Sequence, residues 1–258
     1  MLRFSANVTM LFQEAAFLDR FDLARRAGFA AVECQFPYAE ALPDLAAARG
    51  SLHMALFNLP AGDWPAGERG LAALPDRREE FRAGVGQAVA YASALGCTRL
   101  NCLAGVVPEE VGRAEAEAVL CENLRYAADV LARRGMTLLV EPINPFDAPG
   151  FFLTTARAAA AAMERAGRPN IRLQYDAYHL QRSQGELANT FLQFRDRIGH
   201  VQIADAPSRR EPGTGEIHFP YLLRVIERSG YDGHIGLEYA PAGGTLESLH
   251  WLSEWRAH

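Results

Sequence analysis

Short apolar runs alternate with longer amphipathic runs along the whole chain, and this leaves few architectures open. Strand-like segments are read at 4–8, 30–35, 52–57, 98–103, 136–141, 171–176, 199–204 and 234–239. Helical segments fall between them, at 15–27, 39–49, 78–95, 109–134, 155–167, 185–197, 219–229 and 245–256. Each helical segment carries Ala, Leu, Arg and Glu at amphipathic spacing. Gly28, Gly50, Gly96, Gly135, Gly167 and Gly230 follow six of them, where a left-handed C-cap is wanted. The chain has 258 residues, close to the roughly 250 of a closed βα barrel. The expectation is an α/β protein, a (β/α)8 TIM barrel forming one domain over 1–258. A doubly wound open sheet is disfavoured, because no Gly-x-Gly-x-x-Gly follows an early strand.

What the chain lacks narrows its chemistry. It contains no lysine, which excludes Schiff-base aldolase chemistry, covalent pyridoxal phosphate and a P-loop. Neither PLP nor a nucleotide cofactor is expected. Net charge is −5 and the arginine pairs are scattered, so nucleic acid is not an expected partner. The four cysteines (Cys34, Cys97, Cys102, Cys121) form no Cys-x-x-Cys motif and read as buried reduced thiols. Ser5, Asn7 and Thr9 interrupt any signal-peptide core, and no apolar run reaches the ~18 residues of a membrane span. A cytoplasmic protein without a membrane partner is expected.

Four polar residues end four consecutive strand-like segments: Glu141, Asp176, Gln202 and Glu238. They lie 35, 26 and 36 residues apart, about one βα unit each. In a parallel barrel all four reach one mouth, the end at which barrel enzymes do their chemistry. Any one of them alone is explained equally well as a helix cap, and Asp176 stands where it can cap a helix at Ala177-Tyr178. Together, three carboxylates and one amide without Cys make an oxygen-ligand set for Mg²⁺ or Mn²⁺ rather than Zn²⁺. His179 follows Asp176 by three residues, so one helical turn returns it to that ligand or to a substrate. His53, His200, His218 and His234 lack such spacing and read as structural.

Two loops have unusual content. Residues 57–76 form a long loop after the third strand, where Trp64 and Arg69 either cover a substrate or pack on the surface. Residues 205–217 follow the seventh strand, and Gly213 and Gly215 are placed to offer backbone N–H groups to an anion. Trp251 and Trp255 either pack a second subunit in a homo-oligomer or close the last helix onto the barrel.

These residues resemble the hydroxypyruvate isomerase family of xylose-isomerase-like barrels, almost end to end. The resemblance runs through Asn58-Leu-Pro-Ala-Gly-Asp-Trp64, Glu141-Pro-Ile-Asn144, Gln174-Tyr-Asp-Ala-Tyr-His179, Gln202-Ile-Ala-Asp205, Glu211-Pro-Gly-Thr-Gly-Glu-Ile217 and Glu238-Tyr239. Glutamine at 202 separates it from similar sugar epimerases, which usually place histidine there. The resemblance implies reversible isomerisation of hydroxypyruvate, a small 2-oxo-3-hydroxy acid, to tartronate semialdehyde. Glu141 and Glu238 are then both metal ligands and proton carriers, while Asp176 and Gln202 complete the metal shell. Trp64, His179, Arg209 and Glu216 fall on the substrate side.

One departure stands out. Relatives often carry a basic residue after Glu-Tyr in the eighth strand, where this chain has Ala240. Arg209 is expected to supply that charge. The departure leaves open 2-oxotetronates, and also the neutral ketoses of a sugar 3-epimerase or inosose-dehydratase-like enzyme. A silent metabolite-binding barrel is the least favoured alternative.

Overall fold

The computed structural model describes residues 1–255. Its strands are β1 (Arg3–Asn7), β2 (Ala31–Glu33), β3 (His53–Met54), β4 (Phe57–Asn58), β5 (Arg99–Cys102), β6 (Thr137–Val140), β7 (Ile171–Asp176), β8 (Ile198–Ile203) and β9 (His234–Leu237). They form one sheet in the order β3-β2-β1-β9-β8-β7-β6-β5-β4, with every pairing parallel.

β3 and β4 are two halves of one stave, parted by Ala55 and Leu56. β3 pairs with β2, while β4 pairs with β5. The Cys34 N–H to Leu56 oxygen bond (3.3 Å) and the Asn58 N–H to Gln35 oxygen bond (2.9 Å) stitch β4 back to the chain after β2. The ring thereby closes on eight staves, as the alternation predicts. Strands buried on both faces read as apolar runs, which is why most of them were visible in the sequence.

The helices are α1 (Asp19–Arg26), α2 (Leu42–Arg49), α3 (Arg78–Leu95), α4 (Arg113–Ala132), α5 (Ala156–Ala166), α6 (Ala177–Ser183), α7 (Leu187–Phe194), α8 (Phe219–Arg228) and α9 (Thr245–Ser248). In α8, Phe219, Leu222, Leu223 and Ile226 follow the 3.6-residue period and are buried. α5 turns a nearly all-alanine stripe inward, which lets the helix approach the sheet closely. All six predicted capping glycines have positive φ. Two expectations need correction. The segment 245–256 is not one helix: α9 is four residues long and passes into a 3-10 turn at His250–Glu254, and position 256 lies outside the described residues. The extra helix α6 directly follows β7, where a carboxylate caps it.

The four cysteines are buried and unpaired, and burial pushes the Cys97 and Cys102 thiols up to about 12. Trp251 packs edge-on against Phe4 at the start of β1, with ring centroids 5.7 Å apart. Ser5 and Asn7 of β1 face the interior, so Phe4 faces outward, and the C-terminal segment packs on the outer face of the barrel near the start of that strand. Among the described residues no helix is long and apolar enough to cross a membrane.

Candidate active site

The polar residues that end the strands meet at one mouth. Asp176 is the last residue of β7, while Glu141 and Glu238 each stand one residue beyond β6 and β9. All three are at least 95% buried. Asp176 uses its two oxygens differently. Oδ1 accepts from the Tyr178 and His179 N–H groups at 2.7 and 3.1 Å and caps α6. Oδ2 has no hydrogen-bond partner, and neither has Oε1 of Glu141. The capping role and a ligand role thus fall on separate oxygens of one carboxylate. On Glu238, Oε1 accepts from Asn7 and Gln35 at 3.2 and 3.0 Å, and Oε2 accepts from Arg209 at 2.7 Å.

Burial dominates the electrostatics. It raises Glu141 well above the usual carboxylate range, and nearby Glu238 and Asp176 raise it further. Burial also raises Asp176, to about 7, with Arg209 pulling downward and Glu238 pushing upward. Burial works against the Arg209 charge, but Glu238, Asp176 and Glu141 together outweigh it and hold the guanidinium protonated.

The other half of the mouth is built from the same strand-end positions, and its carboxylate, Glu33, is engaged on both oxygens. Glu33, which ends β2, accepts from Ser5 at 2.8 Å, from Asn7 at 3.2 Å and from Gln202 at 2.8 Å, and it pairs with His200 at 2.8 Å. Burial alone would raise Glu33, but His200 and these donors bring it below its ordinary value. Gly236 is required here, because a Cβ on it would stand 2.3 Å from both Glu33 carboxylate oxygens. Asn101 donates to Glu141 Oε2 at 2.7 Å and to Asn58 at 3.1 Å. Asn7, Glu33, Asn58 and Asn101 were missed in the sequence, although they obey the same strand-end rule as Glu141 and Asp176.

Gln202 stands in register with Asp176. Its Nε2 donates to Glu33, and its Oε1 accepts from Gln174 at 2.5 Å, which leaves one lone pair on that oxygen.

His179 has a definite tautomer. Asn144 Oδ1 is taken by the Phe146 and Asp147 N–H groups, so its Nδ2 faces His179 Nδ1 at 2.8 Å. Nδ1 must then accept, and the ring proton sits on Nε2. Burial holds His179 well below its usual value, with Arg209 and Arg182 adding to the effect. It lines the mouth cavity as a neutral donor.

The cavity is about 400 Å³ and includes Trp64, Glu141, His179, Arg209 and Glu238 in its wall. Trp64 packs on Phe36 at 4.9 Å, and the Arg69 guanidinium lies 4.2 Å over its ring. The loop carrying Trp64 is zipped to the segment after β5, where Gly70 and Gly105 touch backbone to backbone. A Cβ at Gly70 would stand 2.5 Å from the Leu103 carbonyl.

Glu216 is not brought to this cavity. It is exposed, accepts from Gln181 at 3.2 Å and lines a separate groove near α7 and α8. The N–H groups of Gly213 and Gly215 do bind an anion, but an internal one: Asp205 accepts from Ala206, Gly213, Gly215 and Ile217 at 2.8 to 3.0 Å. This nest folds the loop that carries Arg209. The Arg209 carbonyl in turn accepts from the Ala240 N–H at 2.9 Å, so its charge is tied to the position where relatives place a basic residue.

The donor set fits a hard cation. Three carboxylates face one guanidinium, and two buried carboxylate oxygens lack any donor, an arrangement that costs about 1–3 kcal/mol each or more. Polar atoms of Glu141, Asp176 and His179 lie within 4.8 Å of one another, the two carboxylates as acceptors and the protonated His179 ring nitrogen as a donor beside them.

A sequence model of the xylose isomerase-like TIM barrel matches residues 21–255. The chain belongs to this family. Within it, hydroxypyruvate isomerase of Escherichia coli is 51% identical over 99% of this chain and 100% of its own length. The 2-oxo-tetronate isomerase of Cupriavidus necator is 45% identical over 99% of both chains. A Brucella melitensis crystal structure described as an AP endonuclease, family 2, superimposes with a TM-score of 0.96 at 43% identity over the full length of both chains. The 3-keto-D-glucoside 4-epimerase of E. coli, at 20% identity and a TM-score of 0.81, shares the fold.

Proposed function

We propose that this protein is a divalent-metal-dependent isomerase that interconverts hydroxypyruvate and tartronate semialdehyde. The observation that carries the reading is the pair of orphaned oxygens, Glu141 Oε1 and Asp176 Oδ2, buried beside Glu238 at one cavity. Glu141, Asp176, Gln202 and Glu238 would hold Mg²⁺ or Mn²⁺, which supplies Lewis-acid stabilisation of the oxyanion that develops as the substrate loses a proton.

The chain's own groups do the rest. Moving the carbonyl requires taking a proton from the hydroxyl-bearing carbon and returning one to its neighbour. Glu141 and Glu238 have two staves, β7 and β8, between them, so a small substrate fits between the carboxylates. Asn101 fixes Glu141 through Oε2, an oxygen that keeps a second lone pair for a proton while Oε1 is left for the ion. Asn7 and Gln35 likewise fix Glu238. His179, neutral with its proton on Nε2, donates to a substrate oxygen without competing for the proton being moved. Arg209 pairs the substrate carboxylate, and Trp64 walls the cavity against water.

A second reading is a 2-oxotetronate isomerase. It is favoured by the cavity, which at about 400 Å³ leaves room for an acid longer than three carbons, and by the Cupriavidus relative. Nuclease activity is not proposed, because a net charge of −5 and a carboxylate-lined mouth oppose a phosphate backbone.

The test is proton NMR of the metal-loaded protein with hydroxypyruvate and, separately, a 2-oxotetronate, each repeated with EDTA. EDTA-sensitive formation of tartronate semialdehyde is expected. Turnover of the four-carbon acid alone would establish the second reading, and turnover unaffected by EDTA would contradict the metal.

A further inference from the structure

Both oxygens of Glu238 are engaged. Its Oε1 holds two donors, Asn7 and Gln35, and its Oε2 is occupied by Arg209 at 2.7 Å. With both lone pairs of Oε1 filled, ligation by Glu238 falls to Oε2, the oxygen the guanidinium also holds. The same Nη2 stands 4.0 Å from Asp176 Oδ2, one of the two orphaned oxygens. Arg209 thus already sits among the carboxylates as a cation.

Its attachment is asymmetric. The backbone is pinned: Arg209 has φ +53°, its carbonyl accepts from Ala240, and the Arg210 carbonyl accepts from the Asp205 N–H at 2.7 Å. The side chain is held far more loosely. Among the described residues its guanidinium makes one hydrogen bond, to Glu238, and its Nε has no partner. It is about one-quarter exposed and lies 5.1 Å over the Tyr178 ring, a face on which it can slide without losing its cation–π contact. A guanidinium and a dication on one carboxylate oxygen repel each other strongly in a buried site.

We infer that Arg209 is a displaceable counter-ion: it holds Glu238 until a divalent cation loads, then yields that oxygen and turns its guanidinium to the substrate carboxylate. This rests on the metal-dependent reading above and adds an order to it. Metal must enter before the acid, because the arginine that recognises the acid is engaged until then. The pinned backbone keeps the freed guanidinium at the mouth.

The experiment uses Mn²⁺ alone, with binding followed by electron paramagnetic resonance in wild type, Arg209→Gln and Arg209→Lys. Arg209→Gln is expected to bind Mn²⁺ about tenfold more tightly or better, since the ion no longer competes with a charge-assisted hydrogen bond. Arg209→Lys, which keeps the charge but loses the planar fork, is expected to fall between the two. Charge removal at a fixed distance would also tighten binding, so a crystal structure of Mn²⁺-loaded wild type decides displacement. The Nη2 to Oε2 contact, 2.7 Å here, should be broken in it. Mn²⁺ seated on Glu141 and Asp176 with that contact intact would overturn the inference and leave the metal reading standing, as would equal or weaker binding by Arg209→Gln. Absence of Mn²⁺ binding in every variant would overturn both. If Arg209→Gln fails to fold, the Mn²⁺-loaded wild-type structure and Arg209→Lys carry the decision.

Discussion

The two halves of the barrel mouth use the same strand-end positions to opposite effect. On the β1–β5 side, the Glu33 carboxylate is met on both oxygens by Ser5, Asn7, His200 and Gln202, and Asn101 bridges Asn58 and Glu141. On the β6–β9 side, Glu141 and Asp176 each keep a buried oxygen with no partner. A buried carboxylate is stable when its lone pairs are filled and poised when one is left open. The first half is scaffold, tying Glu141, Gln202 and Glu238 into position. The second half is where a cation and a substrate have something to gain.

Substitutions on the two sides should therefore fail differently. The largest effect is expected at Glu141. Glu141→Gln keeps the Asn101 contact but cannot carry the proton, and turnover should fall by about a thousandfold or more with the melting profile little changed. Near-normal activity would remove Glu141 from the chemistry. Glu33→Gln breaks the buried pair with His200 and should lower the unfolding free energy by about 3 kcal/mol in denaturant titration. Its folded fraction should lose far less activity than Glu141→Gln does, and the reverse pattern would erase the distinction between the halves.

A pH series sharpens the same contrast in metal-free protein. Asp176 is raised to about 7 and Glu141 is raised as well, so these two groups bind more protons in the folded than in the unfolded state from about pH 4 to 7. Their share of the stability should fall as pH rises through that window, while His179, His234 and His53, held low by burial, contribute the opposite sign below their ordinary value. Glu33 is lowered, so its share has the opposite sign and is lost only as pH falls through its own acidic range. Metal uptake, which needs deprotonated ligands, should strengthen toward pH 7 and above. Wild type and an Asp176→Asn, Glu141→Gln variant, both metal-free, should differ most in melting temperature near pH 8 and least near pH 5, and a difference that does not grow with pH would contradict the assignment. The smallest effect is expected at Asp205. Asp205→Asn weakens the nest beneath Arg209, so KM should rise about tenfold with kcat little changed, and the Gly213 and Gly215 amides should exchange faster. Unchanged exchange would show the loop is held elsewhere.

The barrel was legible because its long strands and helices carry strong periods, and the carboxylates were legible because charge is conspicuous at the end of an apolar run such as Thr137–Val140. The scaffold half was not. β2, β3 and β4 are two or three residues long, so Glu33 falls inside the strand read at 30–35 and Asn58 in the loop read at 57–76, and neither looks like the end of a stave. Asparagine at such a position is also an ordinary turn residue. The function of Gly213 and Gly215 could be read as anion binding, but not the identity of the anion, because Asp205 reaches them only once the loop folds. Glu216 shares a motif with that nest yet turns outward, which no spacing rule reveals. Ala240 marked a missing charge, and the Ala240 to Arg209 backbone bond shows where the replacement is anchored.

The central claim, that the orphaned half moves a proton between adjacent carbons, is tested most directly by running Mg²⁺-loaded wild type and Glu141→Gln on hydroxypyruvate in D₂O. Product is to be read by NMR. The account predicts that wild type makes tartronate semialdehyde carrying solvent deuterium at the carbon that receives the proton, and that Glu141→Gln makes essentially none. Glu141→Gln forming product at wild-type speed would contradict it.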